Sequence, residues 1–83
     1  MDIASRLERV EQEIVQVENE KLQREQMLAA FWEHMPVIDP AILLHRMSLL
    51  RNQIDFLEDR KRALLEERKE LIVQAVLLGD RRD

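Results

Sequence analysis

Apolar residues recur along the first third of the chain at alternating steps of three and four: Ile3, Leu7, Val10, Ile14, Val17, then Leu28, Phe31 and Met35. Lys21 and Arg24 occupy the two places where that spacing asks for further apolar side chains. Steps of three and four keep one face of a helix apolar, and a sustained seven-residue repeat is the pattern of a seam between two helices. A second, stricter stripe begins after residue 40, with leucine at 43, 50, 57, 64, 71 and 78. Met47, Ile54, Lys61, Arg68 and Ala75 fall between those leucines at the complementary heptad position. Two long helices are predicted, and nothing in the pattern alternates with the period of a strand.

The breaks between the stripes are chemically distinct. Asp2 is a candidate N-cap, and the first helix is expected over about 2–35, because Pro36 disfavours helical geometry in the residue before it and cannot donate the next backbone hydrogen bond. Asp39 can accept from exposed amides while Pro40 fits the first helical position, so residues 36–39 form the turn and a second helix is expected over about 40–78. Gly79 is the expected C-cap, followed by a short polar tail over 79–83. The whole of 1–83 therefore reads as one helical-hairpin domain.

An antiparallel hairpin makes a numerical demand: facing residues must have nearly constant summed numbers. Placing Leu7 opposite Arg68, Ile14 opposite Lys61, Lys21 opposite Ile54 and Leu28 opposite Met47 gives 75 in each case. The other seam position pairs Ile3 with Leu71, Val10 with Leu64, Val17 with Leu57, Arg24 with Leu50 and Phe31 with Leu43, giving 74. Both centre the reversal near residue 37, where the prolines put it independently. The expected hairpin seam is accordingly Leu7, Val10, Ile14, Val17, Leu28, Phe31, Leu43, Leu50, Ile54, Leu57, Leu64 and Leu71. Each seam cation meets an aliphatic residue, so its stem can pack while its charge reaches the rim. Flanking positions juxtapose Arg6 with Glu67, Glu13 with Arg60 and Glu25 with Arg51, against one like-charge pair, Glu18 with Glu58. A continuous rod dimerising in parallel would instead stack each seam cation on its own copy.

One partner helix cannot cover all the apolar surface of the second helix. Ile42, Leu49, Phe56, Ala63 and Leu77 form another stripe seven residues apart, interrupted by Glu70, while Leu44, Leu65 and Ile72 lie on the opposite flank of the seam. Because Ile3 already faces Leu71, the segment Ile72, Val73, Val76, Leu77 and Leu78 projects past the start of the first helix. Trp32, Val37 and Ile38 add an apolar tip at the turn. The candidate partner interface is thus Trp32, Val37, Ile38, Leu49, Phe56, Leu65, Ile72, Val73, Val76, Leu77 and Leu78, since contiguous apolar patches of this extent mark interaction surfaces.

Composition sharpens this picture by exclusion. The chain has no cysteine, which removes disulfides and thiolate metal sites and favours an intracellular, cytoplasmic compartment. Its opening MDIASRLERVEQE lacks the basic and apolar regions of a secretory signal, and the longest apolar run, LIVQAVLLG, is much shorter than the roughly 20 residues of a membrane span. Net charge is -4, with the acidic excess in the first half, and this supplies no general attraction for nucleic acid. The cluster Arg60, Lys61, Arg62 is bracketed by Glu58, Asp59, Glu66 and Glu67, with Glu58 and Arg62 at pairing distance along a helix, so a solvated face is expected there.

Glu33, His34, Asp39 and His45 cluster in sequence around the turn, but they lack the His-x-x-x-His or Glu-x-x-His spacing of helical metal sites. Ser5 and Ser48 have no histidine at helical spacing. No catalytic residue, metal or cofactor is assigned. The expected function is non-enzymatic: a helical hairpin acting through protein–protein contacts, as a homo-oligomer or as a small structural or adaptor subunit of a coiled-coil complex. The alternatives are a chaperone-like protein shielding an amphipathic helix of a client, and a nucleic-acid-binding bundle that is similar to Rop in architecture alone.

Overall fold

A computed structural model describes residues 2–80. It consists of two helices, α1 (Ile3–Glu33) and α2 (Pro40–Asp80), packed antiparallel along their length. The molecule is an all-α helical hairpin, a rod of 68 × 19 × 15 Å.

Each helix starts on an aspartate. Asp2 precedes α1, and its carboxylate accepts from the Ser5 amide at 2.7 Å, satisfying one of the donors that a first helical turn leaves without a partner. The Asp39 carboxylate accepts from the Ala41 amide at 2.8 Å, while Leu43 donates to the Asp39 carbonyl at 3.0 Å to open the helical ladder. Between them Pro40 occupies the first helical position, where its missing N–H costs nothing.

The helix ends differ from expectation by short distances that have local causes. α1 stops at Glu33 rather than near Met35: His34 leaves helical geometry, with φ -131° and ψ 70°, although its amide still donates to Ala30 at 2.9 Å. Met35, directly before Pro36, is barred from the α region by the proline ring, so the helix must unwind one residue earlier. Consequently Met35 does not close the seam but is exposed. The turn is tightened by the Ile38 amide donating to the Pro36 carbonyl at 2.9 Å. At the other end α2 runs through Gly79 to Asp80, and Gly79 does not take the left-handed conformation of a C-cap. The tail beyond residue 80 lies outside the described residues.

Burial follows the heptads. Val10, Ile14, Val17, Leu57, Leu64 and Leu71 form one buried cluster, against which Ile3, Leu7 and Leu65 pack. Leu43, Met47 and Leu50 are buried nearer the turn, and Leu28, Phe31 and Ile54 are half-buried beside them. Lys21, Arg24, Lys61 and Arg68 are also half-buried, their stems lying in the seam. With only two helices the core is a single layer thick, so complete burial is confined to a few positions; Leu64 and Leu71, each 1% exposed, are the deepest.

Candidate interaction surface

The ion pairs fix how the helices face one another. Arg60 of α2 contacts Glu13 of α1 at 2.8 Å. On the other edge of the seam Lys21 lies 3.1 Å from Glu58, and Lys61 lies 3.2 Å from Glu18. Glu18 and Glu58, neighbours of like charge in the sequence register, are thus each held by a seam lysine. The Glu58 hydrogen bond, outweighing the opposing effect of desolvation, raises the affinity of Lys21 for its proton above the ordinary lysine value. Arg24 donates from Nε to Gln53 at 2.9 Å. Arg62 pairs with Asp59 at 3.3 Å rather than with Glu58, whose carboxylate is turned toward Lys21. Among the described residues, Arg6 with Glu67 and Glu25 with Arg51 do not form ion pairs; Glu25 lies 3.9 Å from Lys21 instead.

These pairs divide the outer surface into two edges. The edge carrying Lys21, Glu58, Glu18 and Lys61 is charged through its middle. Leu65, expected at a partner interface, packs here against the hairpin's own core and is half-buried. The edge carrying Glu13 and Arg60 also presents the stripe Ile42, Leu49 and Phe56, all exposed, with Phe56 69% accessible. A shallow groove of about 430 Å³ runs beside Leu49 and Phe56, bounded by Glu20, Arg24 and Gln53. A second groove of about 320 Å³ lies by the turn, between Met27, Phe31, His34 and Pro36.

Among the described residues, exposed apolar side chains gather toward both ends of the rod. Ile72, Val73, Val76, Leu77 and Leu78 are all exposed where α2 outruns α1. They occupy nearly the full circumference of the helix, a distribution proper to a helix enclosed by neighbours. At the turn Trp32 is 60% exposed and Val37 fully so, while Ile38 is half-buried against the hairpin. Val15, Leu22 and Leu44 are further exposed residues on the charged edge.

Among the described residues no group of three His, Cys, Asp or Glu side chains converges as a metal site, and no helix is long and apolar enough to cross a membrane. His34 ends α1, and Asp39 is engaged in capping α2. No protein-family model, curated protein or solved structure matches the chain, so the surface itself is the ground for a functional reading.

Proposed function

We propose that the chain is a non-enzymatic protein–protein interaction module, a coiled-coil hairpin whose working surface is the outer face and projecting end of α2. The observation that carries this reading is the exposed run Ile72, Val73, Val76, Leu77 and Leu78, together with the Ile42, Leu49, Phe56 stripe that leads to it. A total accessible surface of 6644 Å² exceeds by roughly 1,400 Å² that expected of a compact monomer of this mass, and large apolar side chains are exposed along α2. Nucleic acid is a poorer fit. Arg60, Lys61 and Arg62, the densest basic run among the described residues, each already hold a carboxylate.

The test is the native mass of the chain, purified and in extract of the cell that makes it, by size exclusion with light scattering. Assembly above the 9.9 kDa of one chain is expected in at least one setting. A 9.9 kDa species in both would overturn the reading.

A further inference from the structure

We propose that the outer face of α2 receives a second copy of this chain, packed antiparallel about a two-fold axis at Phe56, so that each copy's projecting helix end lies on the turn of the other. This deepens the interaction-module reading, on which it rests, by naming the partner and the register.

The apolar stripe offers several antiparallel registers, and its flanking charges choose among them. With Phe56 on the axis, Leu49 faces the partner's Ala63, and the positions on one side of the stripe place Arg46 opposite the partner's Glu67. On the other side His45 comes opposite the partner's Glu66, and Asn52 opposite the partner's Asp59. No like charges meet at these positions. Sliding by one heptad in one direction brings Arg60 onto the partner's Arg60 and Asp59 onto the partner's Asp59; sliding in the other brings Arg46 onto the partner's Arg60. Like charges directly opposed across an interface select against such pairings. Arg46, Glu66 and Glu67 have no ion-pair partner within the hairpin among the described residues, whereas Glu13, Glu18, Lys21, Glu58, Arg60 and Lys61 are engaged across the seam. Arg46, Glu66 and Glu67 beside the outer stripe are thus left available, while Asp59 and Arg60, also beside it, are already paired within the hairpin.

A second observation, independent of charge, agrees. In the Phe56-centred register Ile72 on one copy comes level with Pro40, the first residue of α2, on the other, so the segment from Val73 onward reaches the partner's turn. The projecting end of α2 is thereby brought to the turn, where Met35 and Val37 are exposed, and two apolar ends unexplained by the hairpin alone come together. A stable interface takes about 800 Å² from each partner, and the rod exposes roughly 1,400 Å² more than a compact monomer of its mass, an excess that pairing along one face would reduce. Glu70, which interrupts the stripe, comes beside Ile42 and one turn from the partner's Arg46.

The absence of cysteine makes the register measurable. A Ser48→Cys variant, exposed and off the stripe, is spin-labelled in the full chain, and its mass and label separation are measured together. The expected result is a dimer with labels about 25–30 Å apart, from 16 residues of axial offset at 1.5 Å each plus the helix spacing; a heptad slip changes the axial part by about 10 Å, and a parallel pair brings the labels within about 20 Å. Arg46→Glu is expected to weaken the dimer at least tenfold, and Arg46→Glu combined with Glu67→Arg to restore it. A purified monomer overturns the proposal; if the same chain is larger in cell extract, the interaction-module reading stands with a different partner. A dimer with the slipped or parallel separation, or one indifferent to Arg46→Glu, likewise overturns it.

Discussion

Lys21 and Lys61 exchange carboxylates across the seam: Lys21 reaches Glu58 at 3.1 Å and Lys61 reaches Glu18 at 3.2 Å. Each helix supplies a Glu-x-x-Lys segment, and the antiparallel arrangement crosses the two. A cation in an apolar seam fixes register at a cost in stability, because any slip leaves it against a non-complementary neighbour. Replacing both Lys21 and Lys61 with isoleucine is therefore expected to raise the melting temperature, on the order of 4–8 °C per substitution, while broadening the distribution of oligomers. Thermal melts with sedimentation velocity check both halves; a lower melting temperature would show that the crossed pairs hold the hairpin together.

The same lysine makes stability depend on pH at the alkaline end. Its proton affinity is raised in the folded state, chiefly by the Glu58 hydrogen bond, so its contribution is complete below the ordinary lysine value of 10.5 and is lost as pH rises through the higher folded value. Asp2 has the opposite sign. The Ser5 amide lowers its folded value below 3.8, so its contribution is present above 3.8 and is lost as pH falls through the lowered value. Urea midpoints should fall as pH drops below 3.8 and as it rises above 10.5, and Lys21→Gln should lessen the alkaline fall while Asp2→Asn lessens the acid one.

Leu64 is 1% exposed, facing α1 in the middle of the buried cluster. Leu64→Ala should cost about 2–5 kcal/mol by leaving a cavity that a single-layer core cannot close. Leu77→Ala, at an exposed position of the projecting end, should leave the intrinsic stability of the hairpin within about 0.5 kcal/mol when measured on monomer. Equal losses at the two sites in chemical denaturation would mean that the projecting end is part of the hairpin's own core.

Gly79 separates two accounts of how α2 ends. It is helical, with no heavy atom within 4 Å of where a Cβ would sit. Gly79→Ala is therefore expected to stabilise the helix end by about 0.5–1 kcal/mol, whereas at a left-handed cap the same change would destabilise it. Asp39→Ala removes an N-cap and should cost about 0.5–2 kcal/mol. Both are read from denaturant midpoints, with circular dichroism reporting helix content.

The hairpin was legible in the sequence because two signals with different physics converge: heptad sums that centre the reversal near residue 37, and the Pro36, Asp39 and Pro40 signals that place it there. What escaped the sequence turns on small choices of geometry. Met35 satisfies the heptad but precedes a proline, and the backbone constraint wins over the apolar pattern. Arg62 has two carboxylates in reach, and Glu58 is drawn away by Lys21 on the other helix, which spacing along one helix cannot reveal. Gly79 is compatible with both a cap and a helical turn; its residue type alone does not decide.

The deepest layers of the core lie at the end far from the turn. Ile3 and Leu71, and Val10 and Leu64, are distant in sequence, whereas Phe31 and Leu43 are close, so the cheapest loop to close is at Asp39 and the tightest packing forms after it. A chain that zips from its turn gathers its strongest contacts on the downhill side of the folding barrier. Weakening Leu64 or Leu71 should then leave the rate of folding nearly unchanged and hasten unfolding. On that order of events the residues at the open end would act as a latch on the lifetime of the hairpin rather than as a guide to its formation.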